Sequence, residues 1–90
     1  MGKWLYAYRR PPAELRYIEA MLGAFAALPQ EKRDAVRGEI GRLACSPAEG
    51  RALFDVLVQG KTLSAACAAT GVSVRRLSYL RRAFYERLPL

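Results

Sequence analysis

Ninety residues carry a net charge of +7 with 52% hydrophobic and 26% charged residues, a composition that suits one globular domain and leaves no room for a second core. Two cysteines and no histidine cannot supply the four ligands of a structural zinc site. No stretch approaches the roughly 20 apolar residues that cross a bilayer, and no secretory leader is expected, so the expectation is a cytoplasmic protein with no membrane association.

Residues 1–12 read as an N-terminal arm, and residues 13–90 as a single helical domain. In the arm, Trp4, Tyr6 and Tyr8 alternate with smaller residues and lead into Arg9, Arg10, Pro11 and Pro12. The double proline forbids helix just before it. Aromatic and basic residues together can grip nucleic acid or a partner, but the expectation is an arm that packs on its own domain or on a neighbouring subunit. A first helix is predicted just after Pro12, because Leu15, Ile18, Leu22 and Phe25 recur at spacings of three and four, with Met21 alongside. It should end by Leu28, before Pro29. A second helix over residues 31–44 places Val36, Ile40 and Leu43 on one stripe. Asp34 with Arg37, and Glu39 with Arg42, are expected as pairs on its polar face. Gly38 and Gly41 either permit close helix packing or mark a loose helix.

The third helix has a stronger start signal. Ser46 is placed as an N-cap, Pro47 at the first helical position, and Glu49 to complete a capping box. Leu53, Phe54, Val56 and Leu57 supply its apolar positions, and Gly60 is expected to stop it. Cys45 and Cys67 stand among alanines in helix-like stretches and read as small buried hydrophobes rather than as a disulfide.

Charge then concentrates. Residues 61–90 hold Lys61, Arg75, Arg76, Arg81, Arg82 and Arg87 against Glu86 alone, which is +5 of the chain's +7. A basic C-terminal third points to a polyanionic partner, usually nucleic acid; the plain alternative is that arginine keeps a small protein soluble. The same stretch divides into a short helix over about 63–69, a turn centred on Gly71, and a longer helix after Ser73. Two helices that cross closely need small contact residues, here Ala66 and Cys67, and their turn needs a residue that takes positive φ cheaply, here Gly71. Val72, Leu77 and Leu80, with Leu63 and Ala66, form the apolar set between them. The fold class predicted is therefore all-α, with about five helices and a C-terminal helix-turn-helix at about 63–88.

Opposite the Leu77/Leu80 stripe, Arg75, Arg76, Ser78, Tyr79 and Arg82 are expected to project outward, with Arg81 at the edge. A helix lying in the major groove needs hydrogen-bonding side chains near its N-terminus and cations for phosphates. Ser73, Val74, Arg75, Arg76, Ser78, Tyr79 and Arg82 are thus the candidate contacts to double-stranded DNA, Val74 for a thymine methyl and Arg75 and Arg76 for bases or phosphates. The competing reading is a helical hairpin with a solvated basic face.

The segment from Ala52 to Leu88, with TLSAACAATGVSVRRLSYLRRAFYERL at its core, resembles region four of bacterial sigma factors, which reads the promoter −35 element. More loosely, residues 14–88 resemble phage transcriptional activators of the RinA/ArpU type. That resemblance implies a phage or prophage regulator that binds DNA and contacts RNA polymerase. The chain departs from the pattern at Thr70, where a larger aliphatic residue is usual, and at Leu63-Ser64-Ala65-Ala66, which lacks the usual acidic residues. No segment suited to a −10 element is present, so a complete sigma factor is not expected.

Two other functional classes compete with this reading. One is a protein-interaction module or a DNA-packaging protein of the small terminase kind, whose motif generally lies nearer the N-terminus. The other is an enzyme, which needs an activated nucleophile, an acid–base pair or a metal. With no histidine, and with Glu14, Glu19, Glu31, Asp34, Glu39, Glu49, Asp55 and Glu86 spread over helix surfaces or at caps, neither catalysis nor a cofactor is expected. A homodimer is a separate hypothesis, motivated by the small core, the aromatic arm and the pairing habit of helix-turn-helix proteins.

Overall fold

A computed structural model describes residues 9–89, so the aromatic part of the expected arm lies outside the described residues. Among the described residues there are five α-helices and one 3-10 turn, with no strand. None of these helices is long and apolar enough to cross a membrane.

Helix α1, Pro12–Gly23, opens on proline, whose fixed φ suits the first helical position and whose missing N–H would have been unpaired there. Leu15, Ile18 and Leu22 are buried on one stripe, while Met21 is only half-buried at its margin. The helix stops at Gly23, earlier than the periodicity predicts, and the chain tightens into a 3-10 turn over Phe25–Ala27. Pro29 accounts for part of this, since it drives Leu28 into the extended region at ψ 150. The turn still delivers Phe25 to the core, edge-on to Phe54 at 5.5 Å. Arg33 donates to the Ala26 carbonyl at 3.3 Å and satisfies one of the turn's free acceptors.

Helix α2, Gln30–Leu43, begins and ends one residue earlier than predicted. Val36 and Ile40 are buried as expected, and Leu43 is half-buried. Of the two predicted ion pairs, Glu39 and Arg42 meet at 2.7 Å, whereas Asp34 accepts from Gln30 at 2.8 Å and Arg37 lies over the Phe25 ring. Glu39 is also buried rather than on a solvated face, which a carboxylate tolerates because Arg42 reaches it with two donors. A Cβ added at Gly41 would meet nothing within 4 Å, and one at Gly38 only the tip of Arg42 at 3.7 Å. Close packing among the described residues therefore does not require either glycine.

Helix α3, Pro47–Leu57, is the centre of the molecule and packs against α2, α4 and α5. Ser46 caps it by accepting the Glu49 N–H at 3.2 Å. The reciprocal bond differs from a capping box: the Glu49 carboxylate takes the N–H of Cys45, one residue before the cap, at 2.9 Å. Ala52, Leu53 and Leu57 are buried. The helix ends at Leu57, before the predicted stop, and Gly60 follows at φ +72 in the loop. Asp55 is buried and ties that loop down, its carboxylate 3.6 Å from Lys61 Nζ and its carbonyl accepting the Lys61 N–H.

Helix α4, Leu63–Thr70, is capped by Thr62, which accepts the Ala65 N–H at 3.1 Å. Its one fully buried residue is Ala66, and Cys67 is half-buried; Cys45, expected to be buried as well, is exposed. Thr70 compensates for its polarity locally. Its hydroxyl donates to the Ala66 carbonyl at 2.8 Å and accepts the Val72 N–H at 3.4 Å. Helix α5, Val74–Arg87, buries Leu77, Leu80, Ala83, Phe84 and Tyr85 against the rest of the molecule.

Candidate nucleic-acid interface

The geometry between α4 and α5 follows from three residues. Gly71 closes α4 in the left-handed region, at φ 78 and ψ 2, with its N–H on the Cys67 carbonyl at 2.8 Å. A side chain there would be strained, which is why the residue is glycine. Two residues later Ser73 accepts the Arg76 N–H at 3.1 Å and starts α5. Leu77 and Leu80 then lie fully buried, alongside the buried Ala66 of α4 and half-buried Leu63 and Val72. This fixes which face of α5 looks outward.

On that face the sequence-predicted residues separate. Ser73, Val74, Arg75, Tyr79 and Arg82 are exposed, and Ser78 is half-buried. Val74 and Tyr79 are 51% and 54% exposed. Arg75, Ser78, Tyr79 and Arg82 follow the three-and-four spacing of one helical stripe, which at 1.5 Å per residue is about 10 Å long. Arg82 lies 3.6 Å from Glu86. No acidic residue occupies the first turn of α5, so its N-terminal end remains positive.

Arg76 does not follow its neighbour outward. It turns to the head of α3, where Nε and Nη2 meet the two Glu49 oxygens at 3.0 and 3.2 Å, and where Nη2 also lies 3.3 Å from Cys45 Sγ. Its guanidinium carbon lies 5.5 Å from the Tyr79 ring centroid. The hydrogen bond from Arg76, reinforced by the Cys45 N–H, holds the Glu49 carboxyl below the ordinary glutamate range, and Glu49 in turn raises the Arg76 guanidinium further. Glu49 was legible only as a capping residue. Its second role was not, because the partner lies far along the chain. Counting about 100° per residue from Arg75 does place Arg76 near the Leu80/Ala83 edge rather than on the outward stripe. Arg81, expected at that stripe's margin, is half-buried.

Among the described residues no three His, Cys, Asp or Glu side chains gather in a way that could hold a metal ion. Comparison of the chain with family models, with curated proteins and with solved structures finds no match.

Proposed function

We propose that α4 and α5 form a helix-turn-helix and that the protein is a sequence-specific, double-stranded-DNA-binding transcriptional regulator acting by binding rather than catalysis. The observation that carries this reading is the outward stripe of Arg75, Ser78, Tyr79 and Arg82 at the head of a helix whose opposite face is locked into the core. A major groove about 12 Å wide accepts such a helix. In that placement Arg75 has the donor fork for a guanine edge or a phosphate, and Val74 suits a thymine methyl. Ser73, Ser78 and the Tyr79 hydroxyl are short-range hydrogen-bonding groups, while Arg82 and the positive end of α5 serve the phosphate backbone. Arg76 is assigned no direct contact, since its guanidinium is engaged by Glu49. The resemblance to sigma region four and to RinA/ArpU-type activators supports a phage or prophage regulator, at work in the cytoplasm where its DNA is.

The exposure of Val74 and Tyr79 also suits a protein partner, so the test must separate the two. Binding to duplex DNA measured across a salt series does so. A DNA-binding protein loses affinity as salt rises, with a log–log slope steeper than about −2 if three or more phosphates are neutralised. Absence of binding at low ionic strength would favour the protein-interaction module instead.

A further inference from the structure

We infer that Glu49, on a helix outside the α4–α5 unit, is a positioning residue for DNA recognition, a role that rests on the DNA-binding reading above. It holds Arg76, and Arg76 holds the Tyr79 ring, so that the head of α5 meets DNA in one fixed pose.

The carboxylate is itself anchored before it meets Arg76. Ser46 takes the Glu49 backbone N–H, and Glu49 Oε1 takes the Cys45 N–H. Arg76 then binds it at two points, Nε on Oε2 at 3.0 Å and Nη2 on Oε1 at 3.2 Å. A planar fork on a carboxylate fixes orientation as well as distance. The apolar contacts of Leu77 and Leu80 keep α5 against the core but set its rotation about its own axis less sharply, because they have no directional bonds. Base contacts are sensitive to that rotation. Arg76 also passes the constraint on to Tyr79, whose exposed ring it overlies at 5.5 Å, so a residue of the outward stripe is braced from α3.

The two adjacent arginines therefore divide their work: Arg75 is free to touch DNA, and Arg76 sets the angle at which it does. Removing the Glu49 charge loosens the head of α5 and also releases a guanidinium that can pair with any phosphate. Affinity for the preferred sequence should fall while affinity for arbitrary DNA holds or rises, an outcome that a purely structural ion pair does not produce.

The test uses the whole chain and two probes: a fluorescein-labelled duplex carrying the sequence that the wild type enriches from a random pool, and poly(dI-dC). Glu49→Gln, Arg76→Gln and the double variant are each expected to bind the enriched duplex about tenfold more weakly, the double no worse than either single, because the two groups act as one unit. Arg76→Lys should not restore affinity, since a point charge lacks the fork. The salt slope of Arg76→Gln should equal that of the wild type, and Glu49→Gln should bind poly(dI-dC) at least as well as the wild type. A slope shallower by about 0.9 for Arg76→Gln would make it a phosphate contact and overturn the assignment. So would losses that multiply in the double variant, rescue by Arg76→Lys, or undiminished binding by Glu49→Gln. Should Glu49→Gln fail to fold in circular dichroism, the slope of Arg76→Gln and the behaviour of Arg76→Lys decide alone. Wild type that binds neither duplex defeats the DNA-binding reading itself, a result distinct from all of these.

Discussion

Arg75 and Arg76 are neighbours in sequence and about 100° apart around α5, and their surroundings differ accordingly. Arg75 is exposed on the outward stripe, while Arg76 is two-thirds covered, with 35% of its side chain exposed, on the Glu49 carboxylate. Replacing Arg75 by alanine should weaken DNA binding and, if it serves a phosphate, make the salt slope shallower by about one; if it serves a base, binding to the preferred sequence should weaken while the slope stays. Unchanged binding by this variant would remove Arg75 from the interface. Glu49 makes a separate prediction that needs no DNA. Because its carboxyl is held below the ordinary value by Arg76 and then by the Cys45 N–H, it contributes stability that is fully present above the unfolded pKa of about 4.3 and is lost as pH falls through the lower folded value. Thermal unfolding followed from neutral pH into acid should therefore show the wild type losing more Tm below about pH 4 than Glu49→Gln does; parallel curves would contradict the pairing. Which arginine contacts Glu49 was not legible in the sequence, because a pair 27 residues apart depends on how α3 and α5 pack. The sequence reading put Arg75 and Arg76 on one outward face; a count of about 100° per residue around the helix separates them.

At the scale of the elements, local chemistry was the more readable part. Ser46, Ser73 and Gly71 each act where the sequence puts them, because a cap or a left-handed turn is decided by residues within three or four positions. Helix ends set by packing were harder. Pro29 gives the latest point at which α1 can end, but the core takes Phe25 from a 3-10 turn instead of from a longer helix. Thr62 also caps α4, accepting the Ala65 N–H, a role the sequence reading did not assign. The glycines provide a contrast. Gly71→Ala should destabilise the fold by about 1 kcal/mol or more, since φ +78 costs an L side chain strain. The added methyl would meet nothing within 4 Å, so the cost belongs to the backbone alone. Gly41→Ala, inside α2 and equally unobstructed, should stabilise by about 0.5–1 kcal/mol through helix propensity. Urea unfolding of the two variants checks both signs, and destabilisation by Gly41→Ala would mean that the position faces a partner.

For the molecule as a whole, helical periodicity located the core: Leu15, Ile18, Leu22, Phe25, Val36, Ile40, Leu53, Leu57, Leu77 and Leu80 are all buried in one cluster. Less legible were Glu39 and Asp55, which are buried beside their ion-pair partners Arg42 and Lys61. With α3 packed against three other helices, the head of α5 is braced by the core beneath it and by Glu49 beside it. The central claim is that this braced head is the surface that meets DNA. Its most direct test is amide chemical-shift mapping of the nitrogen-15-labelled protein titrated with a short duplex at low salt. Shifts concentrated on Ser73, Val74, Arg75, Ser78, Tyr79 and Arg82 are the predicted result; shifts confined to α1 and α2, or none at all, would contradict it.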